Sequence, residues 1–202
     1  MSCNLLLRLA AIVSMVGGLT LAGDGLYIWS KAALGQALLQ QSWGRTLRNS
    51  APDKPWSWAD MQSIAHMRLP DHDYEAVVLD GTHGEALAWG PGHMPGTPLP
   101  GEPGLSIIAG HRDTHFVVLA DLSIGDVIQL TRFDSRQVTF RITSKHVVSA
   151  TAPDLNLHSS APRLALVTCW PLDAPISGGS DRLVIEAEMI SANPVEQEQA
   201  SL

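Results

Sequence analysis

The chain has 202 residues, 45% hydrophobic and 16% charged, a balance that excludes collagen-like and disordered classes and fits one globular domain plus an extension. Its formal net charge of -7 and pI near 5.5 argue against a nucleic-acid partner, because such binding draws most of its affinity from Lys and Arg neutralising phosphates. From the N-terminus, Leu5 to Ala22 is apolar apart from Arg8, and Tyr27 and Trp29 follow where interfacial aromatics belong. This predicts one membrane helix, with Arg8 reaching one surface and Asp24 lying at the other. A cleaved signal peptide is the rival, since Thr20-Leu21-Ala22 is a passable cleavage site ahead of Gly23. Charge does not settle orientation: Arg8 on one side faces Lys31, Arg45 and Arg48 on the other.

Lys31 to Trp43 carries helical spacing in Leu34, Leu38 and Leu39 and extends the anchor outward. Gly44 to Asp60, with Pro52 and Pro55, reads as a linker lying over the domain, with Trp56 and Trp58 as packing points. Beyond it the pattern is short and β-like. Strands are expected at Ser63 to Leu69, Tyr74 to Leu79, Ala86 to Trp89, Leu105 to His111, Asp126 to Arg132, Gln137 to Ser149, Arg163 to Cys169 and Arg182 to Met189. Turn signals separate them, among them Asp80-Gly81 and Gly125-Asp126, and one short helical stretch is expected near His115 to Asp121. The fold class is therefore all-β, a barrel or sandwich of eight strands behind an N-terminal helix. The expected divisions are 1–30 for the anchor, 31–60 for the juxtamembrane helix and linker, 61–191 for the domain and 192–202 for a frayed tail.

The cysteines narrow the chemistry. Cys3 precedes the apolar segment and Cys169 follows it, so a spanning helix places them on opposite faces of the membrane, unable to pair. An unpaired cysteine in an exported domain is a candidate reactive thiol, although a buried small hydrophobe is the plainer reading. Ala165-Leu166-Val167-Thr168-Cys169-Trp170-Pro171 puts that thiol at the last residue of an apolar strand, before a turn at Pro171. His111 closes the strand Leu105 to His111 in the same way. If these strands are parallel neighbours, a thiol and an imidazole meet at their ends, the minimum equipment for nucleophilic acyl transfer.

Three stretches then resemble the sortase family. They are Trp89-Gly90-Pro91-Gly92-His93 through Pro100-Gly101-Glu102 with Ala109-Gly110-His111-Arg112-Asp113, next Leu166-Val167-Thr168-Cys169, and last Gly178-Gly179-Ser180-Asp181-Arg182-Leu183-Val184. The resemblance covers roughly Ser63 to Met189 and is closest to the Gram-negative branch through Cys169-Trp170-Pro171-Leu172-Asp173-Ala174. Ala165 departs from the signature, which usually has Thr there. The resemblance implies a mixed eight-stranded barrel and a membrane-anchored cysteine transpeptidase that needs no cofactor. Its substrate is a surface protein with a Leu-Pro-x-Thr-Gly (LPXTG) type sorting signal, and its acceptor is an amine. It also implies roles: Cys169 as nucleophile, His111 as acid and base, and Arg182 as donor to the developing oxyanion.

Plainer readings stand beside these. Arg182 alternates with Leu183, Ile185 and Ala187 and so belongs to the polar face with Glu186 and Glu188, where it could be an ordinary surface residue. Arg112, adjacent to His111, is a second candidate for its role. Gly90 to Gly104 is either a solvated connector or part of a peptide groove. His111, Asp113, His115 and His93 allow a zinc hypothesis, which lacks a recognised ligand spacing and leaves Cys169 idle. An anchored binding module without catalysis would bury Cys169. The connector Ala150 to Pro162 and the loop Trp170 to Asp181 flank the cysteine strand and are the expected selectivity elements.

Overall fold

The computed structural model describes residues 3–151, 159–174 and 179–194. Most of the connector expected at Ala150 to Pro162, part of the loop Trp170 to Asp181, and the tail beyond Pro194 lie outside the described residues. The chain forms two compact units, Met1–Leu38 and Leu39–Leu202. Helix α1, Cys3–Asn49, supplies the first and the start of the second. In the first unit α1 is long and apolar enough to cross a membrane, and Ile12, Val13, Leu19, Leu21, Tyr27, Ile28 and Trp29 are all exposed along it.

In the second unit eight strands close into a barrel: β1 (Ser63–Leu69), β2 (Tyr74–Asp80), β3 (Gly92–His93), β4 (Gly104–Ala109), β5 (Val127–Arg132), β6 (Arg136–Ser149), β7 (Pro162–Trp170) and β8 (Asp181–Pro194). Around the barrel they follow the order β1-β2-β3-β4-β7-β8-β6-β5. The β2–β3 and β4–β7 pairs are parallel and the others antiparallel, which makes the barrel mixed, as the family resemblance implies. Period-two alternation decides what goes inside. Met67, Leu69, Ile108, Leu130, Phe140, Leu166 and Ile185 fill the interior with Phe116 and Leu119 from the β4–β5 connection. Each such side chain contributes about 1.5–3 kcal/mol through its removal from water.

The count of eight holds, but one expected strand is a helix. Glu85-Ala86-Leu87-Ala88-Trp89 is a run of good helix formers, and Gly84–Trp89 folds as α2, with His83 at its N-cap. Only Ala86 is fully buried, against Val77 and Leu79, with Trp89 one turn on packing on the same cluster. The eighth strand is instead β3, inside the Gly/Pro-rich run read as a connector or groove. Gly92 makes it possible, because a Cβ there would lie 2.1 Å from the Gly81 carbonyl oxygen. Three boundaries also move: α1 continues to Asn49 through part of the expected linker, β4 stops at Ala109, and β8 runs past Met189 to Pro194, into the expected tail, where Ala192 to Pro194 pair with Arg136 to Val138. The helical stretch near His115 to Asp121 is a 3-10 turn at Val117–Ala120.

A second cluster joins α1 to the barrel within this unit. Leu39, Trp43, Ala59, Met61, Val77, Leu79 and Ala86 are buried together. The Ser42 hydroxyl bonds the Asp53 carbonyl oxygen at 2.9 Å and the Ser63 Oγ at 3.0 Å. Trp56 meets Trp89 edge-on at 5.2 Å, whereas Trp58 is exposed.

Candidate functional site: the ends of strands β4, β7 and β8

Of the three residues singled out by sequence, Cys169 and Arg182 lie on the adjacent strands β7 and β8, and His111 lies two residues past the end of β4. Ser106 to Ala109 of β4 runs parallel to Leu164 to Val167 of β7, and β7 pairs antiparallel with β8. Cys169 faces Arg182 directly in that second ladder. The first ladder is prolonged past the strand end by the Gly110 N–H donating to the Val167 carbonyl at 3.1 Å. His111 is the next residue, two positions past the end of β4. Residues opposite one another in a ladder share a face. Leu166, Leu183 and Ile185 face the interior, so Cys169 and Arg182 face outward. Their neighbours on that face, Ala165, Val167 and Val184, pack with Leu105, Ile107, Met94 and Val148 in an apolar patch next to the site.

Cys169 is a free thiol and half-buried, and His111 is exposed. Thr168, between Val167 and Cys169, points inward and donates its hydroxyl to the Gly110 carbonyl at 2.8 Å. Gly110 has no room for a side chain, since a Cβ would lie 2.8 Å from the Phe116 ring. The chain then turns, with the Phe116 N–H donating to the His111 carbonyl at 2.9 Å. These bonds fix the backbone on both sides of the His111 and Cys169 side chains.

The two arginines divide differently from the sequence expectation. Arg182 Nη1 donates to the carbonyls of Gly179 at 2.7 Å and Asp181 at 2.8 Å, which folds the side chain against its own strand start. Gly179 is itself pressed on β7, where a Cβ would lie 2.4 Å from the Trp170 carbonyl oxygen. Arg112 is buried, and its Nη1 and Nη2 donate to the carbonyls of Pro171 at 2.7 Å and Ala174 at 3.1 Å. Sequence reasoning weighed Arg112 only as a substitute for Arg182. Nothing local in the sequence reveals a bond to a loop about 60 positions away.

His115 was noticed only as a metal candidate, and it lies near His111. Burial lowers its pKa from the usual 6.5, and a charge on His111 lowers it further, while a hydrogen bond with the Ala88 backbone works the other way. His93 is buried with its Nε2 on the Pro98 carbonyl at 3.0 Å and on Thr97 Oγ1 at 3.1 Å, and it pins the Gly/Pro-rich loop. Among the described residues no three His, Cys, Asp or Glu side chains converge on a point that could hold a metal ion. The zinc hypothesis thus finds no ligand set there.

The chain is 28% identical over 125 residues to Sortase D of Bacillus subtilis (strain 168), a match that spans 61% of each chain. The chain therefore spans less than two thirds of that relative's length. The Sortase D5 transpeptidase of Clostridium perfringens is similar in structure, at TM-score 0.56 and 28% identity, over 64% of this chain and 79% of that one. Sortase A from Corynebacterium diphtheriae superposes at TM-score 0.59 and 26% identity, over 69% of this chain and 66% of that one. Residues 67–190, more than half of the chain, match the family model described as the sortase domain, and the chain belongs to the sortase family.

Proposed function

We propose that this protein is a cysteine transpeptidase that cleaves an LPXTG-like sorting signal on a surface protein and passes the acyl group to an amine. The observation that supports the reading is the register of the site in a sortase-family barrel: Cys169 on β7 lies opposite Arg182 on β8, and His111 directly follows the Gly110–Val167 bond that extends β4 along β7. Cys169 Sγ attacks the scissile carbonyl carbon, and Arg182 donates to the oxygen as charge gathers on it. The C–N bond then breaks, and the leaving amine takes a proton from His111. A thioester on Cys169 remains. The acceptor amine attacks that carbonyl, gives its proton to His111 and expels the thiolate. The partly exposed Val148 and Val167, packed on the buried Ile107 and Val184 beside the thiol, suit a peptide with a Leu at its start.

The anchor reading completes the proposal. Residues 1–30 hold the protein in the bacterial inner (cytoplasmic) membrane as a single pass, with the catalytic domain, expected at 61–191 and carried on to Pro194 by β8, on the extracytoplasmic side. The exposed apolar length of α1 supports this. The Gram-negative affinity rests on residues 169–174 alone, and the relatives above lend it no support.

Intact-mass spectrometry of the full chain in detergent tests these readings together. The protein is incubated with a pool of LPXTG-like peptides without acceptor amine, beside Cys169→Ala. The expected result is an acyl adduct on Cys169, absent in the variant, on a chain that keeps its N-terminus. A folded protein that no peptide in a broad pool acylates defeats the transpeptidase, and a mature mass beginning at Gly23 defeats the anchor.

A further inference from the structure

We infer that Arg112 is a positioning residue for acyl transfer: it braces the segment after Cys169 against the segment that carries His111. The inference rests on the transpeptidase reading and deepens it.

Three sets of bonds connect the two segments. Two are short-range and follow from strand register: Gly110 N–H to the Val167 carbonyl, and Thr168 Oγ1 to the Gly110 carbonyl. Both stop before the reactive residues. The third, from Arg112, passes beyond them: its guanidinium takes the carbonyls of Pro171 and Ala174, two and five positions after Cys169. A planar fork with donors on two nitrogens fixes two acceptors at once, which a single ammonium on a flexible stem does not. Arg112 is 7% exposed, so its charge acts where water competes little for these carbonyls. The β7–β8 ladder carries the chain through Cys169 to Trp170, and Arg112 holds the turn that follows.

The consequence is specific. A peptide lying over Cys169 must pass the Pro171–Ala174 turn, and its scissile carbonyl must be held within a few tenths of an ångström of the attack geometry. A misplacement of about 1 Å costs roughly 100-fold in rate. Arg112 acts through the turn and not on the sulfur. Its loss should therefore slow acylation by peptide while leaving the thiol's intrinsic reactivity in place.

Arg112→Lys and Arg112→Gln in the full chain in detergent separate these effects. Acylation of Cys169 by a peptide is followed by intact mass, alkylation of Cys169 by iodoacetamide is followed from pH 5 to 9, and backbone hydrogen exchange is followed at Leu172 to Ala174. The expected result is a fall of about 10- to 100-fold in acylation, an alkylation profile unchanged within about twofold, and faster exchange at those three amides. Acylation by both variants within about twofold of wild type overturns the assignment. So does an alkylation profile displaced along with acylation, which would mark Arg112 as an electrostatic partner of the thiol. Unchanged exchange overturns it even if a variant proves inactive for other reasons. A wild-type protein that no peptide acylates overturns the transpeptidase reading itself, and the role of Arg112 with it.

Discussion

A soluble form of this protein that begins at Gly44, where the sequence reading places the start of a linker, should be crippled, and the structure says by how much. Leu39 is 1% exposed and Trp43 8% exposed, and both pack on Met61, Val77 and Leu79 of the barrel unit. Deleting them removes burial worth about 1.5–3 kcal/mol for the leucine and about 3 kcal/mol for the tryptophan. Ser42 departs with them, and its bonds to Asp53 and Ser63 contribute about 1 kcal/mol each. The total is about 6.5–8 kcal/mol, against a whole-domain stability of about 5–15 kcal/mol. For a domain of this size about 7 kcal/mol corresponds to a fall in Tm of roughly 15–30 °C. Thermal melts of chains beginning at Gly35 and at Gly44 measure it directly, and Leu39→Ala with Trp43→Ala in the longer chain should reproduce most of the loss. If the chain from Gly44 melts within about 3 °C of the longer one, the end of α1 is an ornament on the barrel and the reasoning fails.

Gly110→Ala should cost about 1–3 kcal/mol, because its Cβ would meet three Phe116 ring atoms at 2.8 to 3.1 Å inside a filled interior. It should also depress acyl transfer beyond the stability loss, since Gly110 holds the register that precedes His111; equal Tm and equal rate would refute this. The pH dependence of stability follows from two histidines. Burial holds His66 and His115 below the usual 6.5, so the unfolded chain takes up their protons first. Their contribution is complete above pH 6.5 and is lost as pH falls from there through their folded values. Urea midpoints at pH 7.5 and 5.5 should therefore drop on acidification, and by less in His66→Gln with His115→Gln. An unchanged drop in the double variant rejects the assignment. Asp126 titrates in a separate, lower window. The Ser123 N–H and the His72 ring bond its carboxylate and hold its pKa below the usual 3.8, so its contribution is present above about pH 4 and is lost only below that.

Most of the barrel was legible because alternation is a local signal. β1 matches its expected bounds, and β2, β5, β6 and β7 differ from theirs by one residue at one end or at both. The misreadings occur where local propensity and tertiary pairing compete. Ala86 to Trp89 looked extended only because four apolar residues in a row have no visible period. β3 was invisible because it has two residues, and it exists only because Gly92 lets two main chains touch. The end of α1 was misread at Gly44, a residue that marks a break in isolation and is tolerated where Trp43 and Thr46 are held by the barrel.

The site shows the same division between local and distant information, and alternation separates its two kinds of residue. On β7 and β8 the inward residues, Leu166, Thr168, Leu183 and Ile185, set the register, while Val167, Cys169, Arg182 and Val184 lie on the opposite face of the sheet. A single-residue slip would exchange the two sets, burying the thiol and exposing the core. The interior packing therefore fixes the facing of Cys169 and Arg182 as firmly as it fixes the fold. Motifs reveal the outward set because those residues carry reactive groups. They do not reveal the Arg112 bonds to the carbonyls of Pro171 and Ala174, which any residue at positions 171 and 174 would supply. A side chain whose work is to hold backbone leaves no complementary residue in the sequence, and only the fold shows where its bonds end.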